Sequence, residues 1–138
     1  MIFSDSFKLN TKGFGDTLDI SRDVEKIVKD SKIKDGLATL ICPGSTCTIT
    51  TIEYESGVIR DLQRALEKIA PSDTHYEHDM RWGDGNGFSH VRAALMKPSL
   101  SIPLINGKLT LGTWQQVVLI DFDNRNRNRT IIVQIVGE

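Results

Sequence analysis

The chain has 138 residues, 39% of them hydrophobic and 25% charged, and 17 basic against 18 acidic side chains leave a net charge of −1. That length fits one domain over residues 1–138, and the balance is too apolar for a disordered chain. Near-neutrality argues against nucleic acid or an acidic membrane surface as partner, since both call for a basic excess.

Taken in order, residues 2–10 alternate apolar and polar (Ile2, Phe3, Phe7, Leu9) and read as a strand. Gly13 to Ile20 reads as a second strand, which predicts a hairpin with the first. The helical spacing of Ile20, Val24, Ile27 and Val28 predicts a helix with Ser21 as its N-cap. Gly36 to Pro43 and the β-branched run TCTITTI predict two further strands. Val58, Ile59, Leu62, Ala65, Leu66 and Ile69 form one apolar stripe, the clearest helix in the chain, stopped by Pro71. Residues 72–87 are polar and turn-rich, and a short helix carrying Phe88, Val91, Ala94 and Leu95 follows.

After Pro98 the pattern is β throughout. SLSIPL alternates, Asn106-Gly107 marks a hairpin turn, and LTLGTWQQVVLIDFD and RTIIVQIV are long strand candidates. About seven strands and three helices, with the strands clustered at both ends, predict an α+β fold with mostly antiparallel pairing. No apolar run approaches the ~20 residues of a membrane span. The N-terminal MIFSDSFKLN lacks signal-peptide features, so the expected location is cytoplasmic.

Three segments concentrate chemistry. His75 to His90 holds all three histidines with Asp79, Asp84 and Asn86. It reads either as a capped surface loop or as a functional one, with His78 and His90 as candidate proton carriers or metal ligands. Ser45 and Thr46 follow a glycine at the start of the Thr-rich strand, a pattern that holds phosphate oxygens but also simply makes good strands. Glu53 closes that strand, as a helix first-turn acid or a general base. Arg125, Arg127 and Arg129 stand two apart, so on a strand their guanidinium groups share one face, suited to phosphate or carboxylate. Trp114, inside a strand pattern, reads as core or interface. Cys42 and Cys47 form no disulfide framework, and Cys47 reads as a small buried residue.

In this order the motifs resemble the YjbQ-like family of secondary thiamine-phosphate synthases. The resemblance rests on GST with the Thr-rich strand and Glu53, on HYEHD and DGNGFSHV, and on PSLSIPL, GKLTLGTWQQVVLIDFD and the R-x-R-x-R stretch with VQIVG. It implies a compact fold of sandwiched sheets, a homotrimer, and the joining of hydroxymethylpyrimidine diphosphate to thiazole phosphate with release of pyrophosphate. It further implies a polar pocket at Ser45, Thr46, Glu53, His78, Asp84, Asn86, His90 and Arg127. Gly44-Ser45-Thr46 stands where many members carry His-Thr-Thr, and Asn86 to His90 lacks a further histidine, which favours anion binding over metal binding.

The expectation is a small enzyme acting on a phosphorylated substrate. His78, His90 and Glu53 would be catalytic, and Ser45, Thr46, Asp84, Asn86, Arg125, Arg127 and Arg129 would bind substrate. No cofactor is required by the sequence, although Mg²⁺ or another divalent metal would suit the leaving diphosphate. Two alternatives stand beside it: a non-catalytic trimeric module for an anionic metabolite or protein partner, and a histidine–carboxylate metal hydrolase.

Overall fold

The computed structural model describes residues 1–138, with eight strands and four helices. In chain order these are β1 (Ile2–Thr11), β2 (Asp16–Asp19), α1 (Ser21–Ser31), β3 (Gly36–Ile41), β4 (Cys47–Ile52), α2 (Ser56–Ile69), α3 (Glu77–Trp82), α4 (Gly87–Met96), β5 (Ser99–Ile105), β6 (Lys108–Leu109), β7 (Gln116–Asp121) and β8 (Arg127–Gly137). A five-stranded sheet runs β1-β8-β3-β5-β6 and a three-stranded sheet runs β2-β7-β4, every pair antiparallel. This is the expected α+β class.

Alternation decides what each sheet buries. Ala38 and Leu40 of β3, Ile102 and Leu104 of β5, and Ile131, Val133 and Ile135 of β8 face inward. There they meet Ile49, Val117 and Leu119 of the smaller sheet and the apolar stripe of α1. Val118 and Ile120 point the other way, into a second cluster with Leu66 of α2 and Ala93 of α4. β7 is therefore covered on both faces, which is why its sequence is an unbroken apolar VVLI rather than an alternation.

The outer face of the large sheet is open and arranged in rows. Ile2, Val136, Leu37 and Pro103 lie in cross-strand register, as do Ile132 and Ile41. Between these apolar rows runs a polar one, in which Gln134 donates to Ser4 (3.0 Å) and the Thr39 and Ser101 hydroxyls bond at 3.1 Å.

Several local expectations change. β1 and β2 form no hairpin: β1 pairs with β8 and β2 with β7, in different sheets. The intervening turn is pinned to the end of β7, Phe14 and Gly15 donating to the carbonyls of Asp123 and Asp121 (2.7 and 2.8 Å). Gly13 has φ +75°, and a Cβ there would lie 2.5 Å from the Asp123 carbonyl, so only glycine fits. Ser21 does not cap α1; Ile20 holds that position, and the Ser21 hydroxyl instead accepts from the Val117 N–H (3.0 Å). The stretch from Leu109 to Asp123 is not one strand. A hydrogen-bonded turn at Gly112–Gln115 splits it and leaves Trp114 74% exposed, outside the core. The turn-rich segment contains α3, whose six residues bury none of their side chains fully and so leave no apolar period to read.

Candidate functional site

One end of the small sheet gathers the chemistry. The loop entering β4 brings Gly44, Ser45 and Thr46; α3 and its exit bring His78, Trp82 and Asp84; Asn86 immediately precedes α4, which carries His90. Asp123 after β7, with Arg127 and Arg129 at the start of β8, closes a cavity of about 400 Å³.

Its floor is an ionic lattice. Arg129 grips Asp121 with two nitrogens (2.7 and 2.9 Å) and donates to the Thr46 hydroxyl (2.6 Å). Thr11, from β1, donates to the same Asp121 carboxylate at 2.5 Å. Thr46 in turn donates to Asp123 (3.0 Å), which also receives Arg127 Nε (2.9 Å), Asn86 Nδ2 (3.2 Å) and the Asn124 N–H (2.8 Å). Asp121 and Asp123 are fully buried, an arrangement tolerable only when each charge is matched and hydrogen-bonded. Burial alone would raise the Asp123 pKa; the hydrogen bonds from Asn86, Asn124, Arg127 and Thr46 overcome it and hold the carboxyl below its ordinary range. Asp121 likewise holds the Arg129 guanidinium firmly charged.

Asn86 shows what the site takes from local structure. An asparagine before a helix usually turns its side-chain oxygen onto the first-turn N–H groups. Here it makes no such cap; its amide nitrogen goes to Asp123, and Oδ1 is buried without a partner. The opposite amide orientation would set Oδ1 against an ionised carboxylate, so the observed one is fixed by charge. The first N–H of α4, on Gly87, is taken by Asp79 instead (2.8 Å).

The rim is looser. The His78 and His90 rings lie against each other with centroids 4.3 Å apart, their planes tilted by 38°. His78 Nδ1 lies 3.3 Å from Asp79 and 3.6 Å from Asp84. Burial, then the neighbouring His78, lowers the His90 pKa, so His90 is predominantly neutral at pH 7. Trp82 lines the cavity and is 66% exposed. Ligand atoms of His78, Asp79 and Asp84 lie within 4.8 Å of one another, a donor set of one imidazole and two carboxylates that fits a divalent ion.

Eight of the ten residues expected from sequence line this cavity: Ser45, Thr46, His78, Asp84, Asn86, His90, Arg127 and Arg129. Two do not. Glu53 is exposed beyond the far end of β4, about 20 Å from Thr46 at ~3.3 Å per strand residue. Arg125 precedes β8 in the turn after β7, exposed, so the shared face of three arginines reduces to Arg127 and Arg129. Both of these are ion-paired within the chain. Asp121 and Asp123 were not among the expected site residues. Two acids in an otherwise apolar strand end were their only signal. Cys47 is buried, and its thiol donates to Cys42 Sγ (3.1 Å), which together with burial pushes its pKa up and makes it a poor nucleophile.

Residues 5–138 match the family model described as UPF0047 protein YjbQ-like. A UPF0047 protein of Methanothermobacter thermautotrophicus is 33% identical over 99% of this chain and 94% of its own length. YugU of Bacillus subtilis is 30% identical over 96% of this chain and 98% of its own. Among solved structures, a YbjQ-like protein of unknown function from Sulfolobus solfataricus superposes with a TM-score of 0.95 at 29% identity, covering 100% of this chain and 99% of that one. A YjbQ/UPF0047 protein of Clostridium acetobutylicum gives 0.87 at 35% identity, over 96% and 99% of the two chains. With nearly its whole length matched in sequence and in fold, the chain belongs to the YjbQ-like UPF0047 family.

Proposed function

We propose that the cavity at His78, His90 and Arg127 is the reaction centre of a thiamine-phosphate-synthase-like transferase. The supporting observation is the convergence of eight separately expected polar residues on one cleft of metabolite size. In the reaction, the thiazole nitrogen lone pair forms a C–N bond to the pyrimidine methylene. The C–O bond to the diphosphate breaks, and its electron pair leaves with pyrophosphate.

The chain's own groups divide this work. Arg127 commits Nε and Nη2 to Asp123, which leaves Nη1 and the Ser45 hydroxyl to face charge growing on the leaving diphosphate. Neutral His90 accepts a hydrogen bond from the pyrimidine amino group, so electron density moves toward the methylene as the C–O bond breaks. Trp82 offers a face on which a flat ring stacks. Arg129 positions Thr46 and the lattice rather than touching substrate. His78, Asp79 and Asp84 would hold a divalent cation, which when bound neutralises phosphate charge.

The open outer face of the large sheet, with Ile2, Leu37, Ile41, Ile132 and Val136 exposed, is the surface that would pack in a homotrimer. A cytoplasmic setting and a small phosphorylated substrate complete the reading. One observation favours the second reading, a binding module without turnover: both cavity arginines are already neutralised inside the chain.

The test is thiamine phosphate formation by purified protein, with His78→Ala and His90→Ala variants. Loss of the His90 hydrogen bond to substrate, or of the His78 ligand to the cation, lowers kcat by about 10²-fold. Unchanged turnover in both variants overturns the assignment, and calorimetric binding of pyrophosphate without any turnover favours the module.

A further inference from the structure

Arg127 walls two cavities, not one. Beside the reaction cleft lies a second depression of about 590 Å³, bounded by Asn10 at the end of β1 and Lys12 just after it, Asp16 and Leu18 of β2, and Asn126 and Asn128 around the start of β8. Two of the three asparagines that alternate with the arginines in NRNRNR, Asn126 and Asn128, which the proposed chemistry leaves unused, line this side. We infer that this cavity is a subsite for a phosphoryl anion, sharing the Arg127 guanidinium with the reaction cleft.

The donor count favours it. Arg127 spends Nε and Nη2 on Asp123, and the residue lines both cavities, so its remaining N–H groups are the ones left for an anion. Asn128 Nδ2 donates to Asn10 Oδ1 (2.8 Å), which fixes the Asn10 amide with its own nitrogen free. Lys12 adds an exposed ammonium and Asn126 an exposed amide. The single carboxylate of the lining, Asp16, already accepts the Lys12 backbone N–H (2.9 Å). One unpaired cation, Lys12, with the N–H groups that Arg127 does not spend on Asp123 and the free asparagine amides, stands against one partly satisfied acid, a lining that recognises an anion with many acceptor oxygens. The floor is rigid, because Thr11 is buried and bonded to Asp121.

This inference rests on the transferase reading when it assigns the anion a source. A two-substrate condensation offers two: the phosphate of the second substrate, or departing pyrophosphate. Inorganic phosphate alone serves as the probe. In a titration of the whole protein followed by NMR, the side-chain amides of Asn126 and Asn128 should shift saturably, with about tenfold weaker binding in Lys12→Gln. No saturable shift up to about 20 mM phosphate, or equal affinity in the variant, overturns the subsite. In the turnover assay Lys12→Gln raises either the KM for thiazole phosphate or the inhibition constant of pyrophosphate, naming substrate or product as the occupant. If neither moves, the subsite has no part in the reaction and the inference fails. A protein that turns nothing over yet titrates with phosphate at Asn126 refutes the transferase reading and leaves the subsite standing.

Discussion

The floor and the rim of the cavity are built on opposite principles. The floor draws Thr11, Thr46, Asp121, Asp123, Arg127 and Arg129 from three distant stretches of chain into one lattice in which every carboxylate is matched. The rim draws His78, Trp82 and Asp84 from one short helix and its exit, with no fully buried side chain among them. The floor holds position, since any member that shifts leaves a buried charge without its partner. The rim is where groups stay free to meet a ligand. Chemistry placed on the rim and supported from the floor needs both, and the two should respond very differently to substitution.

The largest effect is expected at the floor. Asp121→Ala strands the buried Arg129 guanidinium and should cost about 3–5 kcal/mol of stability, read from urea denaturation. A loss under about 1 kcal/mol would mean that water reaches Arg129 and that the lattice is not closed.

An intermediate effect should appear with pH. The folded-state pKa of His90 lies below its ordinary value, so the unfolded chain binds this proton more readily. Its contribution is present above the unfolded pKa of about 6.5 and is lost as pH falls toward the folded value. Melting temperature should therefore fall from pH 7 to pH 5 more in the native chain than in His90→Gln. Asp123, also lowered, acts in the same direction but only in stronger acid, as pH falls below the ordinary aspartate value. Equal pH dependence in the two proteins would show that His90 is not desolvated. The smallest effect belongs to Trp82→Ala at the rim: stability within about 0.5 kcal/mol, whatever happens to ligand affinity.

Much of this was written along the chain. The apolar stripes of α1 and α2 and the alternation of β1, β5 and β8 are local periods of 3.6 and 2, visible because each face buries or exposes its own residues. The histidine-bearing segment and the GST loop stood out because polar residues of that density recover little apolar burial. α3 stayed hidden for the complementary reason, since six residues with no buried side chain carry no period.

The tertiary structure alone decided who partners whom. Arg125, Arg127 and Arg129 look equivalent two apart, yet one lies in a turn while the others pair with Asp123 and Asp121 across four and eight residues. Thr46 reaches Arg129 across 83 residues and Thr11 reaches Asp121 across 110. Glu53, seven residues from Thr46, lies at the other end of a strand because an extended chain carries it away. Local sequence sets backbone conformation through sterics and the periodicity of burial. Which charges cancel depends on distances between elements far apart in the chain, and only folding fixes those.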